Sequence, residues 1–82
     1  MNYKVVCVYD KALGAYGRPI FVPSVGVAIR SFQDEVNSEK SEMHAHPSDY
    51  SLHELGEWDD GTAQFSGSAI RRLAEASDFV KE

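Results

Sequence analysis

The sequence predicts an α+β fold, a small antiparallel or mixed sheet covered by one helix. Three observations predict it. A β-branched and aromatic run fills residues 3–9, an apolar stripe at helical spacing follows Ser24, and an Asp-Gly turn separates two apolar runs after Tyr50. At 82 residues the chain is expected to form a single domain, 1–82. A chain of that size buries only about two thirds of its unfolded surface, so its stability margin is thin.

Residues 3–9 place Tyr3, Val5, Cys7 and Tyr9 on one parity and Lys4, Val6 and Val8 on the other. A strand apolar on both faces is central in its sheet or covered on both sides. Residues 10–19 hold two glycines and a proline and read as a loop. Ile20-Phe21-Val22 is a short apolar run stopped by Pro23, and a short edge strand over 20–22 is expected. A helix is expected over 24–36, because Val25, Ala28, Ile29, Phe32 and Val36 form one stripe at 3.6-residue spacing. Ser24 is its N-cap, since a serine hydroxyl accepts from the free N–H groups of a first turn.

Residues 37–49 are polar and without period, an exposed linker back to the sheet. The hairpin comes next, with strands over 50–58 and 62–66 about Asp59-Asp60-Gly61, where Gly tolerates positive φ. In its first strand Tyr50, Leu52 and Trp58 share one parity, and His53, Leu55 and Glu57 share the other. A hairpin alone is marginal in water, so the helix must cover it. The linker lets the helix cross one face of the sheet, in the right-handed sense usual for crossovers to a parallel strand. A short C-terminal helix over 68–76 is expected from Ile70, Leu73 and Ala74 behind a Ser68 cap, with Phe79 and Val80 docking the tail.

The charge pattern restricts the function classes. The net charge is −5, which on average repels nucleic acid. Residues 1–30 are nevertheless basic, with Lys4, Lys11, Arg18 and Arg30 against Asp10, whereas residues 31–67 set Lys40 against nine acids. No apolar run approaches the ~20 residues of a membrane-spanning helix, so no membrane partner is expected. The N-terminal run has the pattern of a strand and not of a signal peptide. Cys7 is the single cysteine and needs no oxidising compartment, which points to the cytoplasm.

Three sets of residues carry chemistry worth testing. Tyr9 and Tyr16 as stacking platforms, with Lys4, Lys11, Arg18 and Arg30 as phosphate contacts, make a thin version of the interleaving found in single-strand binders. Glu54, Glu57, Asp59 and Asp60 form an acidic surface suited to a basic protein partner, although turn chemistry accounts for the two aspartates. His44, His46 and His53 are weak metal candidates: no cysteine joins them, and no metal or cofactor is expected. Neither a nucleophile elbow nor a phosphate-binding glycine loop is present, and Cys7 in an apolar strand reads as a small buried hydrophobe. The chain is not expected to be an enzyme.

Taken together, several segments resemble a known family. They are Tyr3-x-Val5 with Val8-Tyr9-Asp10-Lys11-Ala12, then Ala28-Ile29-Arg30-Ser31-Phe32-x-Asp34-x-Val36-Asn37, then His46-Pro47-x-Asp49-Tyr50-x-Leu52-x-x-Leu55-Gly56-x-Trp58-Asp59. In order and spacing the chain resembles the small nonstructural protein of gokushovirus-type microviruses, which are single-stranded DNA bacteriophages. The resemblance implies a non-capsid accessory protein of the host cytoplasm, active in viral single-stranded DNA synthesis. It would act through a viral or host replication protein or through weak single-stranded DNA binding. The alternative is an interaction module that modulates a host factor through its acidic surface. An open sheet edge or face in so small a domain is also compatible with a homodimer.

Overall fold

A computed structural model of the chain describes residues 1–80. Strand β1 (Asn2–Asp10) is followed by the two short strands β2 (Ala15–Tyr16) and β3 (Ile20–Val22). Helix α1 (Val25–Val36) and the single turn α2 (Glu42–Ala45) then lead through a 3-10 turn (Pro47–Asp49) into β4 (Tyr50–Asp59). Strand β5 (Gln64–Glu75) and a second 3-10 turn (Ala76–Phe79) end the described chain. The fold is α+β, with a five-stranded antiparallel sheet and one main helix.

Strand β1 is the spine of the sheet. It pairs with β4 along its whole length, and on its other side with β2 near Tyr9 and with β3 near Val5. Strand β5 closes the order β2-β1-β4-β5. Strands β3 and β4 both run antiparallel to β1, so the chain between them crosses over β1, and α1 lies on that crossing. The helix begins where its cap was expected, with Ser24 Oγ accepting from Val27 N at 3.3 Å. Its stripe buries Ala28, Phe32 and Val36 against Val6, Leu52 and Ala76, and Val8, Val22, Ile29 and Met43 pack around them.

The segment expected as a C-terminal helix over 68–76 is strand up to Glu75, and only Ala76–Phe79 coils, as a 3-10 turn. Bulges explain the misleading spacing. Glu54 pairs with Arg71 and Gly56 with Gly67, so a single residue of β4 faces a longer stretch of β5. A second shift falls between Leu52 and His53, where Leu73 is the extra residue of β5. Each extra residue resets the two-residue alternation, and the resulting offsets imitate helical ones. Pairing with β4 then outweighs local propensity. Of the two residues expected to dock the tail, Phe79 does so, meeting Phe32 edge-on at 6.1 Å between ring centres, whereas Val80 stays exposed.

Smaller corrections concern the connections. The expected 10–19 loop contains β2, and the expected 37–49 linker contains α2, capped by Ser41 Oγ on Met43 N at 3.1 Å. Met43 explains why that turn forms, since it packs on the core. The second hairpin strand begins at Gln64 instead of 62, and the residue at positive φ in the turn is Ala63 (58°), not Gly61. Asp59 nonetheless plays its expected part, its carboxylate accepting from Gly61 N at 2.8 Å.

Candidate functional site

In an antiparallel pair, directly opposed residues point to the same face. Val6 lies opposite Glu54 and Val8 opposite Leu52, and both valines face the helix. Tyr3 therefore faces away from the helix with Trp58, Val5 with Phe21, Cys7 with His53, and Tyr9 with Tyr16. Leu52 and Trp58, of equal parity in sequence, lie on opposite faces, because β4 carries an extra residue, Leu55, between the positions paired with Val5 and Val6. One inserted residue moves every later side chain to the other face.

Aromatic rings line the face without the helix. Near the hairpin, Trp58 and Phe65 lie 4.8 Å apart between ring centres, and Phe21 meets Trp58 edge-on at 6.1 Å. At the other end Tyr9 and Tyr16 are 4.6 Å apart, and both rings meet His53 edge-on. The two groups are separated by about six residues of β1, roughly 20 Å at strand rise. Between them, an apolar hollow of about 400 Å³ is lined by Val5, Pro19, Phe21, Leu55, Gly56, Phe65 and their neighbours. Gly56 is obligatory in its wall: a Cβ there would stand 2.2 Å from the carbonyl oxygen of Ser66. The rings hide Val5 and Cys7, but Phe65 remains 65% exposed and Tyr16 50%.

The six residues suggested for nucleic acid do not share this face. Tyr9 and Tyr16 are on it, whereas Lys4 points to the helix side, bonded to Glu57 and 3.9 Å from Glu54. That bond to Glu57 raises the Lys4 pKa above its ordinary value. Lys11 reaches Glu75 at 3.4 Å and the Ser48 carbonyl at 3.3 Å. Arg18 is exposed between β2 and β3, and Arg30 is exposed on α1, so a sheet separates Arg30 from the tyrosines.

The hairpin acids are largely occupied within the chain. Glu54 accepts from Arg71 at 2.6 Å, Glu57 from Lys4, and Asp60 from the N-terminal amine at 2.7 Å. The histidines do not converge. His44 Nδ1 contacts the Val36 carbonyl at 3.0 Å and His53 lies in the aromatic group, while His46 caps α2. Among the described residues no three His, Cys, Asp or Glu side chains are placed to share one ion.

One polar contact was not foreseen. Ser51 Oγ lies 2.9 Å from His53 Nε2, as a nucleophile and its base would. Ser51 is only 1% exposed, and among the described residues the buried His53 Nδ1 has no hydrogen-bond partner to orient the ring. The pair therefore lacks both access and the third member of a triad. Burial lowers the His53 pKa, with nearby Glu75 opposing and Arg72 reinforcing the shift. Burial likewise raises the Cys7 thiol pKa.

Phe21, Trp58 and Phe65 are the site residues that sequence reasoning passed over. The signal for them was the apolar character of both parities in residues 3–9 and 50–58, which requires cover on two faces when only one long helix is available. Among the described residues no helix is long and apolar enough to cross a membrane.

Comparison with known proteins adds one finding. A family model described as "Phage ORF5 protein" matches residues 3–79. No match was found among curated proteins or among solved structures.

Proposed function

Because the chain belongs to the phage ORF5 protein family, we propose that it is a non-enzymatic, nonstructural accessory protein of a gokushovirus-type phage. It takes part in viral single-stranded DNA synthesis in the host cytoplasm by contacting a replication protein through its aromatic sheet face. The observation that carries this reading is the grouping of exposed Phe21 and Phe65 about a half-buried Trp58, beside an apolar hollow. Aromatic anchors next to a pocket are the usual energetic centre of a protein interface. Arg72 and Lys11 both pair with Glu75 at the other end of the face.

Capture from phage-infected host lysate tests the reading. The wild-type chain is expected to recover a viral or host protein of DNA synthesis, and the Phe65→Ser variant is expected to lose it. Equal recovery by both, or recovery of no such protein, ends the proposal.

A second reading, direct binding of single-stranded DNA, draws on the Tyr9–Tyr16 pair, since exposed rings stack on bases. Titration of labelled oligo-dT at ~50 mM salt decides it, because phosphate contacts are strongest at low salt. Binding that Tyr16→Ala weakens supports this reading, and absence of binding removes it.

A further inference from the structure

A second opening lies on the opposite side of the sheet. Between α1 and the β1–β3 edge an apolar groove of about 340 Å³ descends to core residues, with Val6, Val22, Phe32, Met43 and Leu52 among its walls. Val6, Phe32 and Leu52 are each less than 5% exposed, so the groove leads directly to the hydrophobic core. Half-exposed Ile20 also lines it. Its two polar lining residues are Ser31 and Glu35, both exposed on α1.

The charge around this groove differs from that of the hairpin. Glu54, Glu57, Asp60 and Glu75 have cationic partners within the chain, and the Asp59 carboxylate accepts from Gly61 N in the turn. Among the described residues, Asp34, Glu35, Glu39, Glu42 and Asp49 have no cationic partner. All five fall within 34–49, where Lys40 is the one Lys or Arg. Glu35 lines the groove itself, Asp34 adjoins it on α1, and Glu42 adjoins the lining residue Met43, while Arg30 beside Ser31 is the one cation next to the lining on α1. The Tyr50 phenol, packed against the same core, is held above its ordinary pKa by burial and then by the charges of Asp10, Glu42 and Asp49.

We infer that this groove takes a basic amphipathic segment of a partner protein, an apolar side chain entering between Phe32 and Met43 while Lys or Arg residues meet Glu35 and its acidic neighbours. Helices with one apolar and one basic face bind apolar grooves in this manner. Uncompensated carboxylates on the rim supply the electrostatic match and disfavour acidic competitors. The surface lies across the sheet from the aromatic face and does not depend on it.

Three synthetic peptides test the inference against the full chain by fluorescence anisotropy. One is an amphipathic Leu/Lys helix, one a Ser/Lys peptide of equal charge, and one a Leu/Glu helix. Saturable binding of the Leu/Lys peptide alone is expected. Glu35→Lys should weaken it by about tenfold, and Ser31→Trp, which fills the opening, should weaken it as well. Phe65→Ser should leave it unchanged. Both helix positions are exposed, so wild-type circular dichroism is expected of both variants, and if one fails to fold the other decides. Three outcomes overturn the inference: no binding of the Leu/Lys peptide, equal binding of the Ser/Lys peptide, or binding indifferent to the groove variants.

Discussion

On the helix side of the sheet, Val6 and Leu52 pack with a buried Phe32 at the floor of the groove beside α1, whereas on the other side Val5 and Cys7 lie under rings that themselves face water. The first arrangement is a conventional core, in which buried apolar side chains pack against one another and only the groove's edge, at Ile20, meets water. The second transfers the exposure outward, from aliphatic side chains at the sheet to Phe21, Phe65 and Tyr16 above them. In so small a chain a second covering layer is beyond reach, and the last layer is left to water or to a partner. The comparison separates residues that hold the fold from residues free to bind.

Truncation should expose that difference most clearly. Phe32→Ala removes a ring that is 4% exposed and touches Phe79, and it should destabilise the chain by about 3–5 kcal/mol. That is a large share of the roughly 4–12 kcal/mol a domain of this size holds. Phe65→Ala removes an equal ring that is 65% exposed and should cost under about 1 kcal/mol. Urea melts of both variants check the contrast. If Phe65→Ala proves as damaging as Phe32→Ala, the aromatic face is core and not an interface.

Gly56→Ala probes the boundary between the faces. Its methyl group would press on the Ser66 carbonyl at 2.2 Å, and φ at this position is +156°, so β4 and β5 must part locally. A loss of about 2 kcal/mol or more is expected. Amide exchange should show the effect in the half of the hairpin near the turn, leaving α1 protected. Uniform loss of protection would mean that the two faces unfold as one unit.

These particular residues also show what the sequence can convey. The 24–36 helix was legible because its stripe and Ser24 cap are local signals, and the 3–9 strand because its residue types leave little alternative. The fate of 68–76 was not legible. Leu73 and Ala74 both pack on the core because a bulge interrupts β5 there, whereas Ile70 is exposed, and a bulge is settled by the strand across from it. For the same reason the division of Leu52 and Trp58 between faces was hidden, since one extra residue at Leu55 lies between them. Site residues were legible by type and not by grouping. Lys4 and Glu57 were assigned to different partners, although register makes them partners of each other.

A smaller effect should separate the faces by pH. His53 is favoured as the neutral ring, because burial among Tyr9 and Tyr16 lowers its folded-state pKa below the ordinary 6.5. A group with a lowered basic pKa contributes stability that is fully present above its unfolded value. That contribution is lost as pH falls from 6.5 toward the lowered folded value, where the unfolded chain takes up more protons. Thermal melts between pH 7.5 and 5 should therefore show a decline that His53→Gln reduces. An unchanged slope would place the ring in water and open the aromatic group.

The smallest effect concerns the hairpin turn, which belongs to neither face. Ala63 sits at φ 58°, where a Cβ crowds the following carbonyl, while Gly61 two residues earlier holds no positive φ. An L residue in the left-handed region is strained by about 1–2 kcal/mol. Glycine relieves the strain but adds freedom to the unfolded chain, worth roughly 0.5–1 kcal/mol. Ala63→Gly should therefore stabilise the protein by about 0.5 kcal/mol, read as a small rise in urea midpoint at constant slope. The gain should persist in the Phe65→Ser background, because relief of backbone strain is local and does not require the aromatic rings. Loss of the gain in that background would show that the rings dictate the turn, and that the aromatic face shapes the hairpin as well as decorating it.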